Sequence, residues 1–213
     1  LNEAWFCGFK FYIDNNVLIP RPETEELVEW IITNCKFPIG QLSILDIGSG
    51  SGCIPIALKR KLRKAEVWSC DISNEALNVA RQNANNLGGD VNFFQTDFLN
   101  KDLWEELPSY DIIVSNPPYI PEKGKEEMQP NVLMYEPQVA LFVPDNDALL
   151  FYKAIADFAK KHLNRNGSIY MEIHESHGKE VAQLFQSKNY FTEIKKDMQG
   201  KERMLKVSTT KSS

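Results

Sequence analysis

The stretch ILDIGSGSGC, residues 44–53, decides how the rest of the chain is read. An apolar run ends in Asp46 and passes into Gly48, Ser49, Gly50, Ser51 and Gly52 before an amphipathic segment begins. Alternating glycines let the backbone turn sharply and approach a ligand, and a helix starting behind them offers unpaired N–H groups. A pyrophosphate-binding fingerprint needs its third glycine three places after the second, where Cys53 stands. An acid directly before the loop would also repel a doubly anionic bridge. The pattern therefore favours a cationic ligand over a dinucleotide.

Outward from this turn, strand-like and helix-like stretches alternate. Strands are predicted at Ser43 to Ile47, Glu66 to Asp71, Val91 to Gln95, Asp111 to Ser115 and Ser168 to Ile173, and helices at Ile54 to Leu62, Asn74 to Leu87 and Ala148 to Leu163. Short apolar strands separated by amphipathic helices indicate an α/β fold, a mostly parallel sheet with helices on both faces. After a further helix from Gly178 to Gln186, the runs Phe191 to Lys196 and Arg203 to Val207 are separated only by DMQGKE. That segment is too short for a crossover helix, so these two strands are expected to pair antiparallel. Ahead of the sheet, Trp5, Phe9 and Phe11 around Gly8 suggest a hairpin or extended arm. Pro22, with Glu23, Glu25 and Glu26 behind it, reads as a helix start whose apolar stripe is Leu27, Trp30 and Ile31. Residues 1–40 are thus assigned to an arm and first helix, 41–208 to the main domain and 209–213 to a fraying tail.

Composition narrows the function classes. The 213 residues carry 24 basic and 29 acidic side chains, a net charge of −5, which gives no basic field for holding a long nucleic acid. No apolar run approaches the ~18 residues of a membrane span. Cys7, Cys35, Cys53 and Cys70 form no C-x-x-C pair, so a reduced, cytoplasmic protein without a cysteine metal site is the simplest reading. The opening residues lack the pattern of a signal peptide.

Three further signals carry chemistry. VWSCDIS ends a strand in Asp71, where an acid in nucleotide-binding α/β units accepts from ribose hydroxyls; capping of the helix near Asn74 is its alternative role. FFQTDFL brings Asp97 and Phe98 to the end of the next strand, an acid and an aromatic suited to an adenine amine and ring face, with plain core as the alternative for Phe98. IIVSNPPYI then delivers Asn116, Pro117, Pro118 and Tyr119 at a strand end. Two prolines remove two N–H donors and stiffen the backbone, so the Pro117 carbonyl can face a ligand. With the Asn116 carbonyl it can take both hydrogens of a planar NH2 group while the Tyr119 ring packs over its plane.

DIGSGSG, the Asp71 strand end and NPPY together resemble class I methyltransferases, Rossmann-like enzymes that use S-adenosylmethionine. IPRPETEELV, SNPPYI, YEPQVAL and the final GKERM are more specifically similar to the HemK/PrmC-type release-factor glutamine methyltransferases, over residues from about Trp5 to Val207. The resemblance implies methylation of the side-chain amide nitrogen of the glutamine in the Gly-Gly-Gln motif of peptide-chain release factors. It places Gly48, Gly50 and Gly52 along the methionine part of the cofactor, Asp71 at the ribose, Phe98 with Asp97 at the adenine, and Asn116 to Tyr119 around the substrate glutamine. Asp46, Ser49, Ser51 and Asn116 complete the candidate cofactor set, and Asn116, Pro117 and Tyr119 are the candidate catalytic residues. The family's N-terminal helical domain is expected to be absent, leaving a catalytic domain, monomeric, with no membrane or stable nucleic-acid partner. Alternatives are an adenine-N6 methyltransferase acting on DNA or RNA, a methyltransferase for another protein, and a cofactor-binding module without catalysis.

Other features stay open. Residues 121–147 lack a long helical period and exceed ordinary loop length, which suggests a lid, with Val132, Leu133, Tyr135, Val139, Leu141 and Phe142 as packing positions. The segment departs from the family's pattern at ALFVPDNDAL. Arg21, Glu23 and Glu25 border the expected cleft or serve the helix start. His174 and His177 lack supporting metal ligands. In FYKAIADFAKKHL, Phe151, Ile155, Phe158 and Leu163 form the expected buried stripe.

Overall fold

The computed structural model describes residues 2–35, 42–127 and 136–210. The chain opens with a hairpin, β1 (Glu3–Phe6) and β2 (Phe9–Tyr12). Cys7 and Gly8 between them both take positive φ, 49° and 80°, the twist that a two-residue hairpin loop demands. Trp5 is exposed, and it is Phe6 and Phe11 that enter the core, edge to face at 6.1 Å. Helix α1 (Pro22–Asn34) follows, with Pro22 in its first turn as the sequence predicts.

The central sheet is then laid down as β3 (Ser43–Ile47), α2 (Cys53–Lys61), β4 (Glu66–Asp71), α3 (Asn74–Leu87), β5 (Asn92–Gln95) and β6 (Tyr110–Ser115). Two short strands, β7 (Ile120–Pro121) and β8 (Phe142–Val143), pair with each other. Helix α4 (Leu150–His162) leads without a break into β9 (Leu163–Glu172), longer at its start than the sequence suggests. Then come α5 (Gly178–Gln186), β10 (Phe191–Lys196) and β11 (Glu202–Ser208).

The seven strands run in the order β10-β11-β9-β6-β3-β4-β5, with β11 antiparallel to both β10 and β9 and the other pairings parallel. This is the expected mixed sheet. From β3 the chain steps outward through β4 to β5, then returns to the other side of β3 to place β6 and β9. The carboxyl ends of β3 and β6 therefore form the switch point at which α/β sheets open a crevice.

Strand alternation sorts side chains onto two cores. Ile44, Val67, Ile112 and Val114 meet α1, α2, α3 and the hairpin on one face. Leu45, Ile47, Ile113, Ile169 and Met171 meet α4 and α5 on the other. Because the hairpin and α1 share the first core, residues 2–34 pack as part of the main body. At the far end, the Thr209 hydroxyl donates to the Arg165 carbonyl and the Ser208 hydroxyl donates to that of Thr210. The fraying expected from 209 onward meets bonded residues at 209 and 210, and 211–213 lie outside the described residues. Among the described residues, no helix is long and apolar enough to cross a membrane.

Candidate active site

The switch point opens into a cleft of about 1210 Å³, its mouth included. One wall is the turn after β3. Gly48 and Gly50 take φ of 90° and 49°, and a side chain on either would point into open space. These positions combine a backbone conformation that disfavours other residues with clearance for a ligand. The turn is tied down from behind: Gly48 and Ser49 both donate N–H to the Cys70 carbonyl, at 2.9 and 3.0 Å.

The adjoining wall comes from β4 and β5. The Asp71 carboxylate accepts from Gly50 N at 2.9 Å and from Ser73 N at 3.0 Å, locking its plane at the cleft edge. Helix α3 is capped by Ser73, whose hydroxyl accepts from Ala76 N, so the capping role considered for Asp71 falls to its neighbour. Ile72, 49% exposed, presents an apolar side chain at the rim. Asp97 and Phe98 also line the cleft, although Phe98 is mostly buried against Trp104 and Phe158, with centroids 5.3 and 5.2 Å away. Its two readings thus combine: core on one side, wall on the other.

The opposite wall is Ser115 to Pro118 at the end of β6. Among the described residues, nothing donates to the Pro117 carbonyl. The Asn116 side chain donates to the Thr24 hydroxyl at 3.3 Å, Thr24 donates to Glu172 at 2.7 Å, and the Tyr119 hydroxyl donates to the same carboxylate at 3.2 Å. Thr24, Leu18, Pro20 and Arg21 close the cleft from the N-terminal side, and Pro137, Val139 and Ala140 from the other. Arg21 spans these two segments through an ion pair with Glu136 at 2.6 Å. Glu136 itself is buried, and burial raises its carboxyl above the ordinary range against the pull of Arg21.

Comparison with known proteins resolves what such a cleft belongs to. Residues 24–139 match the methyltransferase small domain model. The chain is 49% identical to the release factor glutamine methyltransferase of Flavobacterium psychrophilum over 212 residues, covering 98% of this chain and 73% of that protein. It is 45% identical to the enzyme of the same name from Bacteroides thetaiotaomicron, over 95% of this chain and 72% of that one. The chain belongs to the release factor glutamine methyltransferase family. A crystal structure of a release factor-specific protein-(glutamine-N5) methyltransferase from Alicyclobacillus acidocaldarius superposes with a TM-score of 0.57 at 26% identity, over 89% of this chain and 93% of the other.

For this methyltransferase family member, the structure brings Gly48, Ser49, Gly50, Ser51, Asp71, Asp97, Phe98, Asn116, Pro117 and Pro118 to one cleft. Three sequence-selected residues stand elsewhere. Asp46 lies beneath the turn at 0% exposure, accepting from Ser69, which in turn bonds Ser49. Burial pushes its carboxyl up to about 8 despite the Ser69 bond, and nearby Asp71 adds to the rise. It supports the loop from below, outside the cleft lining. Gly52 faces α3, where a Cβ would meet Ile56 Cδ1 at 2.9 Å and Ala80 Cβ at 3.1 Å, so its glycine is required by packing. Tyr119 is turned to Glu172 and His174 and stands outside the cleft lining.

Other expectations are corrected in smaller ways. Val139, selected as a packing position, is 58% exposed at the cleft, whereas Leu141 is buried. Val132, Leu133 and Tyr135 lie outside the described residues. Phe151 lines the cleft instead of joining the buried stripe of α4, and Tyr152 takes the buried place, its hydroxyl donating to the Glu172 carbonyl. His174 bonds Ser176 and His177 bonds Glu180.

Sequence reasoning missed Thr24, Ile72, Glu136 and Glu172. Glu172 had a visible signal: a carboxylate inside the apolar run SIYMEI, where burial demands partners. Thr24 sits among helix-start acids and gave none.

Proposed function

We propose that this protein transfers a methyl group from S-adenosylmethionine to the side-chain amide nitrogen of the glutamine in the Gly-Gly-Gln motif of peptide-chain release factors. The observation that carries the reading is a single cleft walled on one side by an open glycine turn and on the other by the Asn116–Pro118 corner. The residues suit the cofactor. Gly48 and Gly50 leave room for a chain laid along the backbone, Asp71 presents a fixed carboxylate suited to ribose hydroxyls, and Ile72 and Phe98 offer apolar surface for a base. Asp71 and Asp97 on the wall, with Arg21 paired to Glu136, favour a cationic ligand.

S-adenosylmethionine supplies an electrophilic methyl on a sulfonium. The protein's part is to hold a poor nucleophile in line with it. An amide lone pair is delocalised into its carbonyl, and acceptors on the NH2 group localise it. Asn116 Oδ1 and the Pro117 carbonyl would take the two hydrogens. A bound cofactor would supply the methyl carbon to this nitrogen, its sulfur keeping the electron pair of the old S–C bond as the N–C bond forms. The positive charge moves to nitrogen, where the same two acceptors stabilise it, and a proton then leaves to water. Positioning carries the rate, and no strong base is required. The proposal further assigns a monomeric protein acting in the cytoplasm, where four free cysteines suit a reducing medium.

The test is incubation with methyl-labelled S-adenosylmethionine and, separately, a release factor, the same factor with its Gly-Gly-Gln glutamine replaced, and duplex DNA. Label on the intact factor alone is the expected result. Label on DNA, or undiminished label on the substituted factor, contradicts it.

A further inference from the structure

The Asn116 side chain can serve as an acceptor for a substrate NH2 group only when its amide oxygen, and not its nitrogen, faces the cleft. A flip exchanges the two at no cost in shape. What decides the orientation lies behind the corner. Glu172 is 3% exposed and Thr24 is 2% exposed. The Glu172 carboxylate takes the Thr24 hydroxyl on Oε2 at 2.7 Å and the Tyr119 hydroxyl on Oε1 at 3.2 Å. Arg203 stands close enough for its charge to act on both Glu172 and Tyr119, and it is itself held by Asp197 at 3.2 Å.

Burial raises the Glu172 carboxyl above its ordinary range, while the two hydroxyls and the Arg203 charge pull it back. In its ionised form it accepts and never donates, so both hydroxyl protons then point at Glu172. Thr24 has then spent its only hydrogen and offers lone pairs alone to its remaining neighbour. That neighbour is the Asn116 side chain, at 3.3 Å. With the amide nitrogen toward Thr24 a hydrogen bond forms. With the oxygen there, two acceptors would face each other in a partly buried site, at the cost of an unpaired polar group. The polarity set by the buried charge is thus relayed through one hydroxyl to the amide. The relay joins α1, the end of β9 and the end of β6, segments 148 and 92 residues apart in sequence.

We propose that Thr24 and Glu172 are positioning residues that fix the Asn116 amide with its carbonyl toward the cleft, and so select a substrate that presents an NH2 group. Glu172 also fixes the far end of the corner through Tyr119. This inference rests on the proposed methylation of a glutamine amide and names two residues that serve it from outside the reacting atoms.

The experiment measures kcat and KM with a release factor as substrate, cofactor affinity by calorimetry, and Tm, for wild type and three variants. Thr24→Val removes the relay and should lower kcat by about 100-fold while cofactor affinity stays at the wild-type value. Glu172→Gln introduces a group that can donate to Thr24, which frees the Thr24 proton for the Asn116 oxygen; kcat should fall by roughly tenfold with little change in Tm. Thr24→Ser keeps the hydroxyl and should restore most of the rate lost in Thr24→Val. If Thr24→Val does not fold, Glu172→Gln carries the test. Values of kcat within about threefold of wild type in the folded Val and Gln variants overturn the relay. So does a parallel loss of rate and cofactor affinity without rescue by serine, which marks a structural role. A wild-type protein that binds cofactor yet leaves the release factor unlabelled sinks the substrate reading first, and the relay with it.

Discussion

The two walls of the cleft are built by opposite means. The glycine turn is one contiguous segment, residues 48–52, shaped by backbone torsions and held by main-chain bonds to the adjacent strand. The Asn116 corner leaves its strand at the end of the sheet and is oriented by side chains from α1 and β9. A wall made of backbone tolerates side-chain change as long as its torsions survive. A wall made of relayed hydrogen bonds fails when one donor or acceptor is lost. Under the proposed function, the glycine wall that would hold the cofactor should be sensitive to backbone-directed substitutions, and the Asn116 wall that would hold the substrate to single polar atoms.

Four substitutions sharpen or break that contrast, in order of expected effect. Asn116→Ala should reduce kcat by about 100- to 1000-fold, the range seen when one transition-state hydrogen-bonding group is removed, with cofactor affinity within a few-fold of wild type. Equal losses of rate and affinity would erase the distinction between the walls. Gly52→Ala should destabilise the fold by about 2–3 kcal/mol, because a positive φ and contact with Ala80 and Ile56 coincide there. A thermal scan showing an unchanged Tm would mean the turn is less constrained than its torsions indicate. Asp71→Asn keeps the shape but removes the charge and one acceptor, and should weaken cofactor binding by roughly tenfold while kcat at saturating cofactor is retained. A fall in kcat alone would move Asp71 to the other wall.

The smallest effect concerns Asp46. Its carboxyl is pushed up to about 8 from an ordinary value of 3.8. Between about pH 4 and 8 the folded protein therefore holds a proton that the unfolded chain has released. Stability falls as pH rises through that window and levels off above it. Asp46→Asn should flatten the decline of Tm between about pH 4 and 8. An unchanged slope would show that Asp46 is already ionised under the turn.

The same contrast explains what could be read from the sequence. The sheet, its antiparallel end and the glycine turn were legible because they depend on local period, turn chemistry and a connection too short for a helix. β3, β4, α3, α5 and β10 fall on the predicted residues. Gly52 and Asp46 were assigned to the cofactor because sequence spacing cannot tell the exposed side of a tight turn from its underside. Asn116 and Pro117 were visible as residue types with a chemical purpose. Thr24 and Glu172 were not, since the relay exists only after three distant segments meet. Tyr119 was selected for its ring, whereas its place is set by its hydroxyl. The corner's chemistry was written locally, but its orientation was not.

The most direct measurement is a crystal structure of the protein with S-adenosylhomocysteine and a peptide carrying Gly-Gly-Gln. The account predicts the sulfur over the glycine turn, with the glutamine amide nitrogen facing it and lying about 3 Å from Asn116 Oδ1. A glutamine turned so that its carbonyl oxygen meets Asn116, or a side chain bound away from the residues 116–118 corner, would contradict it.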